Sequence, residues 1–179
     1  MLKLAKLAGL AVEYGGMPLF PCFKRVRRLW GNIRGKRVEV FIARPSRIAT
    51  NMVAQIKLNW HNEVHFSAMR KKLGLALMRV LGRPIVASGD IILDRKITFQ
   101  SKDMNFAKRI FAYEEIRDKF DALWTDKLSG GVLLIGQSSI FYREPASILT
   151  RRKRARFAIA IDLLCDLFDI LYFYRYKIS

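Results

Sequence analysis

The chain of 179 residues is short of acidic residues, cysteine, histidine and long apolar runs, and each shortage excludes a class of protein. Two cysteines cannot build a disulfide scaffold. Eleven glycines and five prolines are too few for a collagen-like or low-complexity chain. The uncharged run near the start, residues 7–12, is shorter than the ~7–15 apolar residues of a secretory signal. We therefore expect no signal peptide and reduced thiols.

The sequence does contain enough apolar residues for a folded core. Hydrophobic residues make up 51% and aromatic residues 12% of the chain, which excludes a disordered protein. A chain of this length typically forms one domain that buries roughly 70% of the surface of its unfolded state. No internal repeat and no linker-like stretch divides it. We therefore expect a single domain over residues 1–179.

Positive charge is the dominant feature of the composition. The chain has 33 lysine and arginine residues against 15 aspartate and glutamate residues, which gives a net charge of +18 at pH 7. Residues 1–100 carry 19 basic and 5 acidic side chains, so most of the excess lies in the first half. Solubility alone is usually achieved with a net charge of magnitude ~2–8. The excess predicts a polyanionic partner, which is nucleic acid, an anionic lipid surface or an acidic protein neighbour.

The pattern of apolar residues predicts an α+β fold. Alternation of apolar and polar residues favours strands, and repeats at three and four residues favour helices. Strands are expected near residues 23–33, 37–43, 50–60, 64–69, 132–135 and 140–142, with one or two more within 90–100. Helices are expected near residues 2–10, 71–81, 104–124 and 146–174, with Asp103 as the N-cap of the third. A tight turn is expected at residues 34–36, between the first two strands. This order indicates an antiparallel sheet of about five to seven strands, with N-terminal, central and C-terminal helices packed on it.

The last predicted helix carries three acidic residues on one face. Asp162, Asp166 and Asp169 follow a spacing of four and three residues inside the apolar stretch 157–174. Each acid near the centre of a bilayer costs ~2.5–3.5 kcal/mol, so this helix is not expected to span a membrane. The role of the three acids stays open between a solvated face, a metal or acid–base cluster, and ion pairs with basic residues of the sheet.

Several short motifs follow one another in the order of a known family. A Leu-Ala…Gly-Leu helix precedes two strands with alternating valines, a strand containing threonine, a Gly-Asp-Ile step and a strand that leads into a helix. These motifs occupy residues 4–10, 31–40, 50–54, 89–91 and 97–103. The chain thereby resembles a group of uncharacterised bacterial proteins related to DUF3137, a domain of unknown function. The resemblance implies this fold and a cytoplasmic bacterial setting, and it assigns no catalytic residue.

No catalytic or metal-binding constellation stands out in the sequence. His61 and His65 are four residues apart, but the glutamate that follows the first histidine in metalloprotease helices is missing, and the surroundings favour a turn. Cys22 and Cys165 lie among apolar residues and are interpreted as core residues. Neither a Gly-x-Ser-x-Gly elbow nor a phosphate-binding glycine loop is present. We therefore expect no enzymatic activity, no metal, no cofactor and no small-molecule substrate.

Two clusters of basic residues provide the candidate contacts with an anionic partner. The predicted contacts are Lys24, Arg25, Arg27 and Arg28 in the first half, and Arg151, Arg152, Lys153, Arg154 and Arg156 before the last helix. A basic run that leads into an amphipathic helix with aromatic residues at its end is typical of a membrane-surface anchor. The same cations, together with the tryptophans, also suit nucleic acid. A merely solvated start of the helix is the third alternative.

The resulting hypothesis is a non-enzymatic interaction protein located in the cytoplasm. It docks on an anionic surface, which is either the inner face of the membrane or an acidic subunit of a membrane-associated assembly. The alternative is sequence-nonspecific binding of DNA or RNA through the same residues.

Overall fold

One antiparallel sheet organises the molecule. The computed structural model describes residues 11–13, 28–43, 50–71, 84–125, 130–145 and 150–178. The described strands are β1 (Ala11–Glu13), β2 (Arg28–Ile33), β3 (Lys36–Ala43), β4 (Asn51–Lys57), β5 (Phe66–Arg70), β6 (Ile85–Val86), β7 (Ile97–Ser101), β8 (Val132–Ile135) and β9 (Ser139–Pro145). The described helices are α1 (Ile91–Lys96), α2 (Met104–Phe111), α3 (Glu114–Trp124) and α4 (Arg151–Ile178). The helices predicted near 2–10 and 71–81 lie outside these ranges, apart from residue 71.

The sheet runs in the order β1-β2-β3-β4-β9-β8-β5-β7-β6, and each neighbouring pair is antiparallel. The predicted α+β class with an antiparallel sheet is thus confirmed. The described residues form nine strands where about five to seven were expected. Two of them, β1 and β6, contain only three and two residues. Strands this short carry too few residues for their alternation to be recognised.

The hairpin between β2 and β3 turns on two residues. Arg34 and Gly35 have φ angles of 52° and 76°, as a type I′ turn requires at both central positions. Gly35 meets this requirement without strain, whereas Arg34 is a non-glycine residue in the left-handed region. The tight turn predicted at residues 34–36 is confirmed. It carries the Arg34 guanidinium to within hydrogen-bond distance of α4.

The described helices pack on one face of the sheet, and the core lies between the two layers. Strands β5 and β7 are buried on both faces. Met52, Ala54 and Ile56 of β4 are buried, as is Leu58 directly after it, which agrees with the alternation that predicted a strand near residues 50–60. Helix α4 packs across β4 and β9 on this side. Its buried apolar side chains include Phe157, Ala160, Leu163, Leu164 and Leu167. The opposite face of β2, β3, β4 and β9 carries the residues that alternate with this core set.

An aromatic cluster fills the core beside α2 and α3. The rings of Phe99 and Phe111 are 4.7 Å apart and those of Phe99 and Phe120 are 5.2 Å apart, both edge to face. Trp124 is buried and donates its indole N–H to the Gly131 carbonyl at 3.1 Å. Edge-to-face pairs contribute about 0.5–1.5 kcal/mol beyond the area that they bury. The cluster therefore fixes α2 and α3 against the sheet.

The single helix expected over residues 104–124 is two helices, α2 and α3. Asp103 caps the first by accepting a backbone N–H hydrogen bond, as predicted. Tyr113 interrupts the helix with extended backbone angles (φ −94°, ψ 117°) and an exposed side chain. The Arg117 guanidinium donates to the Phe111 carbonyl at 2.6 Å, which satisfies an acceptor at the break. Two glutamates then begin α3, where the helix dipole favours negative charge.

Two further boundaries differ from the expectation. Residues 91–96 form helix α1 and not a strand, because the Asp90 carboxylate accepts two backbone N–H hydrogen bonds of the first turn. Strand β9 extends to Pro145, so α4 begins at Arg151 and not near residue 146.

Candidate functional site

The densest run of cations opens helix α4. Thr150 lies just before the helix and accepts a hydrogen bond from the Lys153 backbone N–H at 3.2 Å. Arg151 and Arg152 are exposed, whereas the Lys153 ammonium donates to the Pro145 carbonyl at the end of β9. A helix N-terminus carries a partial positive charge, so cations in the first turn lower the stability of the helix. The stability of the helix therefore does not explain why a run of cations stands at its N-terminus.

One member of the predicted contact set belongs to the protein interior. Arg156 is 6% exposed and Glu144 is 2% exposed. The Nε and Nη2 atoms of Arg156 lie 3.3 Å and 3.4 Å from carboxylate oxygens of Glu144. A buried cation that is paired with a buried carboxylate cannot reach an external surface. Arg156 is therefore removed from the predicted contacts with a partner.

Tyr142 completes this buried network between β9 and α4. Its hydroxyl donates to the Glu144 carboxylate at 3.0 Å. Burial, followed by the charge of Glu144, raises the pKa of Tyr142 well above its ordinary value. The phenol therefore keeps its proton and remains a hydrogen-bond donor at neutral pH. Together, Tyr142, Glu144 and Arg156 hold the start of α4 against the sheet.

The first-half cluster is represented in the described residues by Arg28. This residue is exposed at the start of β2, and its guanidinium lies 5.5 Å from the centre of the Phe41 ring. The strand register places Phe41 opposite Val53 and Val53 opposite Arg143, so Arg28 and Arg143 share one row of the sheet. At ~4.8 Å per strand, their backbones are about 14 Å apart.

Arg28 and the basic run of α4 lie toward the same end of the sheet. The end of β9 pairs with the start of β4, and Lys153 contacts this end of β9. The row that holds Arg28 lies beside the same end. We call this group of four cations the basic end, and its members are Arg28, Arg143, Arg151 and Arg152. Arg28, Arg151 and Arg152 are exposed and Arg143 is half-buried. Lys153 and Arg154 are half-buried as well, and both are engaged within the protein.

Sequence reasoning missed Arg143, because it is a single cation and not part of a run. Its signal is the alternation along β9, where Phe141 and Arg143 point away from the buried Ile140 and Tyr142. The remaining predicted contacts, Lys24, Arg25 and Arg27, lie outside the described residues.

The three aspartates of α4 are engaged by a cation of the β2–β3 turn. The Arg34 Nη1 atom is 3.3 Å from Asp162 and 2.5 Å from Asp166, and its Nη2 atom is 3.1 Å from Asp169. The hydrogen bond to Asp166 raises the pKa of Arg34 further above its ordinary value. The hypothesis of ion pairs between these acids and basic residues of the sheet is therefore confirmed.

Two lysines complete the ion cluster. Lys36 Nζ is 2.9 Å from Asp169, and Lys119 Nζ of α3 is 2.5 Å from both Asp162 and Asp166. Burial acts in the opposite direction, but the contacts prevail and lower the pKa of Asp162 and raise that of Lys119. These groups are therefore held in their charged forms, and the cluster ties α4 to the hairpin and to α3. The sequence did not indicate the contribution of α3.

Helix α4 is long enough to cross a bilayer but is not apolar enough. Its 28 residues span about 42 Å, which exceeds the ~30 Å hydrocarbon core. Its aspartates interrupt the apolar stretch. None of the helices in the described ranges is both long and apolar enough to cross a membrane.

Within the described ranges, the remaining reactive side chains do not converge on a common site. Cys165 is fully buried, and burial raises its pKa to about 11, so the thiol stays protonated. Its predicted place in the core is confirmed, while Cys22 lies outside the described residues. His61 and His65 lie in the non-helical segment between β4 and β5, so their spacing does not place them on one helical face. Among the residues described, no group of three His, Cys, Asp or Glu is arranged to hold a metal ion.

Two clefts flank the C-terminal half of α4. One of about 520 Å³ includes Trp60, Asp103 and Tyr174 in its wall, and one of about 800 Å³ includes Arg34 and Asp166. Both sizes are in the range that small ligands occupy. However, the Tyr174 hydroxyl donates to Asp103 at 2.9 Å, and Arg34 is bonded to Asp166. These polar groups satisfy one another, so the basic end is the better candidate for a functional site.

Comparison with known proteins concerns the fold alone. No family model matches the chain, and no curated protein matches its sequence. Among solved structures, the chain is similar to the crystal structure of the mycobacterial trehalose monomycolate transport factor A. The TM-score is 0.53 and the identity 18%, over 94% of this chain and 92% of that one. The resemblance to DUF3137 stays a prediction.

Proposed function

We propose that the protein is a non-enzymatic docking protein of the cytoplasmic membrane face. Its basic end contacts the anionic headgroups of the bilayer, or an acidic subunit that is held at the bilayer. The observation that carries the proposal is the position of Arg151 and Arg152. Both are exposed at a helix N-terminus where they oppose the helix dipole, so their presence calls for an external anion.

The distribution of charge supports an anionic partner. Three acids of α4 are already neutralised inside the fold by Arg34, Lys36 and Lys119, so they do not offset cations at the other end of the helix. A surface charge acts over a Debye length of about 8 Å at physiological salt. The ion cluster begins eleven residues after Arg151, which is about 16 Å along the helix. The basic end therefore acts as an electrostatically separate site.

The expected strength of this contact is modest. Each cation close to an anionic leaflet contributes about 1 kcal/mol, so the four cations supply about 4 kcal/mol. That free energy corresponds to a dissociation constant of about 1 mM. Docking through the basic end alone is therefore weak and strongly dependent on salt, and a stable position on the membrane requires further contacts.

A structural neighbour supports the membrane alternative. The protein of similar fold is described as a transport factor for trehalose monomycolate. A lipid- or membrane-associated role is consistent with that likeness and with a domain that docks on a bilayer through exposed cations.

Binding assays across a salt series test the proposal. The purified protein is titrated with vesicles of phosphatidylcholine and phosphatidylglycerol, with neutral vesicles, and with DNA and RNA. We expect binding to the anionic vesicles that falls as salt rises. The double variant Arg151→Ser, Arg152→Ser is expected to bind about 30-fold more weakly, at about 1 kcal/mol per cation. The matched control removes Lys102 and Lys108, which are exposed cations outside the basic end.

The assay has outcomes that reject the proposal. Absence of binding to anionic vesicles at low salt rejects membrane docking, and an acidic protein subunit then has to be sought by cross-linking. Equal losses in the double variant and in its control indicate a diffuse charge effect with no role for the basic end.

Nucleic acid is the second candidate because Trp30 exposes 37% of its surface on a sheet face that also carries cations. Bases stack on such rings in proteins that bind single strands. Here, however, the Arg37 guanidinium already lies 5.4 Å from the centre of the Trp30 ring. A base has to displace this cation before it can stack, which places nucleic acid second. If the protein binds DNA or RNA but not vesicles, nucleic acid becomes the first candidate and the membrane the second.

A further inference from the structure

Over β2, β3, β4 and β9, the face of the sheet opposite the helices has cations at its border and aromatic rings at its centre. We call it the open face and define it by the outward side chains of Arg28, Trp30, Arg37, Phe41, Lys57 and Arg143 on β2, β3, β4 and β9. The strand registers place Arg28 and Arg143 in one row, and Trp30 opposite Glu39 in the next row. Two of its cations, Arg28 and Arg143, also belong to the basic end. The open face is therefore continuous with the proposed docking site.

The border of the open face has a clear excess of positive charge. Arg37 and Lys57 have 72% and 66% exposed side chains. Glu39 is the acid with a described side chain among them; it is 12% exposed and lies 3.6 Å from Arg37 and 3.8 Å from Lys57. In the strand register, Glu13 of β1 lies opposite Arg28. Two carboxylates cannot neutralise the four cations, so the face keeps a positive excess and attracts an anionic surface.

The centre of the open face is shallow and partly apolar. A groove of about 320 Å³ is lined by Phe41, Val53 and Phe141 among other residues. Trp30 lies beside it with 37% of its surface exposed. The face extends about 14 Å across its four strands and about 14 Å along β3 from Arg37 to Phe41. An apolar centre inside a cationic border is the arrangement that suits the boundary between headgroups and acyl chains.

The pairing of rings with guanidinium groups favours lipid over nucleic acid as the occupant. Arg28 lies 5.5 Å from the centre of the Phe41 ring and Arg37 lies 5.4 Å from that of Trp30. Stacked bases need free ring faces, whereas lipid phosphates bind the guanidinium groups without displacing them. Tryptophan is also a preferred residue at headgroup depth.

We propose that the open face lies on an anionic bilayer, with Trp30 at headgroup depth and the four bordering cations on lipid phosphates. This deepens the proposed function and rests on it. The open face adds Arg37, Lys57 and an aromatic anchor to the weak contact of the basic end. The added contacts convert a weak electrostatic association into stable docking.

Quenching of Trp30 fluorescence tests this orientation. In a Trp60→Phe variant the remaining tryptophans are Trp30 and Trp124, and Trp124 is 1% exposed in the core. The variant is titrated with vesicles of phosphatidylglycerol and brominated phosphatidylcholine. We expect the emission of Trp30 to shift to shorter wavelength and to be quenched. Further replacement of Trp30 by phenylalanine is expected to abolish the quenching.

The cations are tested by affinity for the same anionic vesicles. The double variant Arg37→Ser, Lys57→Ser is expected to bind about 30-fold more weakly, at about five-fold per cation. The variant Lys102→Ser, Lys108→Ser is the control for charge, with an expected change below about two-fold. Unchanged far-UV circular dichroism establishes that each variant is folded.

The outcomes separate this inference from the proposed function. If the wild-type protein binds anionic vesicles, but Trp30 is not quenched and the Arg37, Lys57 variant binds normally, the open face is not the contact surface and docking itself stands. If the wild-type protein does not bind these vesicles, both proposals fail. Quenching of Trp30 by single-stranded DNA but not by brominated lipid overturns the lipid assignment in favour of nucleic acid.

Discussion

The Arg156→Met substitution tests whether the buried cation of α4 stabilises the fold, in contrast to the exposed cations beside it. The partner of Arg156 is Glu144, a carboxylate in a residue that is 2% exposed. Removal of one member of a buried ion pair leaves an uncompensated charge, which costs about 3–5 kcal/mol. Methionine retains most of the apolar stem, so the loss reflects the charge more than a cavity. A loss of this size removes a large part of the ~5–15 kcal/mol that stabilises a typical domain.

Replacement of both partners gives the sharper result. In the double variant Arg156→Met, Glu144→Leu no buried charge remains, and apolar pairs of similar volume are often as stable as the ion pair that they replace. The Tyr142 hydroxyl then lacks its acceptor, which leaves a residual cost of about 1–3 kcal/mol. The double variant is therefore expected to be more stable than either single variant.

Urea unfolding followed by far-UV circular dichroism measures these differences. Arg152→Met is the matched control, because this arginine is exposed in the first turn of the same helix and its loss is expected to change stability by less than about 0.5 kcal/mol. If Arg156→Met unfolds at the same urea concentration as the control, the buried ion pair does not stabilise the start of α4. A double variant that is less stable than both single variants contradicts the assigned charge pairing.

Three further predictions concern the core and the ion cluster. Gly131→Ala is expected to lower stability by about 1–3 kcal/mol, because a Cβ atom there overlaps the buried Tyr142 hydroxyl, whereas Gly130→Ala meets ordinary contacts and is the control. Equal urea midpoints for the two variants would show that the Tyr142 side chain is not packed tightly against Gly131. Cys165, in a variant whose other cysteine is serine, is expected to react with iodoacetamide at pH 8 about 100-fold more slowly than a thiol of pKa 9.0, because its pKa of about 11 reduces the thiolate. Labelling at equal rates in native and denaturing buffer contradicts its burial. The pKa of Asp162 is lowered from 3.8, so its stabilisation is complete above that pH and is lost as the pH falls through the lower folded value. The variant Asp162→Asn is expected to unfold with a weaker acid dependence, and an unchanged dependence contradicts the ion pairing.

The strands with one buried face could be predicted, because alternation records burial directly. The strand β4 was predicted in this way, and the tight turn at Arg34 and Gly35 was predicted from the glycine between two strands. The break at Tyr113 could not be predicted, because it depends on a side chain of α3 that reaches back to a carbonyl of α2. Helix α1 was missed because the two short apolar clusters at residues 91–93 and 97–99 were both interpreted as strands, whereas the Asp90 side chain caps a helix at the first of them.

The run of cations at the start of α4 could be predicted from the sequence, but which of its members are exposed could not. Arg151 and Arg156 belong to the same run, and only the fold separates the exposed residue from the buried one. A signal for the buried position was present. Arg156 precedes Ala160, Leu163 and Leu167 by four, seven and eleven residues, which places it on the buried stripe of α4. If helical periodicity is applied to the cations as well as to the apolar residues, it identifies Arg156 as the buried cation of the run.

The pairing of β4 with β9 has a consequence for the synthesis of the protein on the ribosome. Residues 51–57 pair with residues 139–145, so more than 80 residues are synthesised after β4 before its second edge is covered. At ~5–20 residues per second, this interval lasts roughly 4–16 s. During that time a nascent strand with an apolar face and unpaired backbone groups is exposed to other chains. We therefore expect the yield of folded protein to depend on protection of the nascent chain by holding chaperones as well as on the stability of the finished sheet.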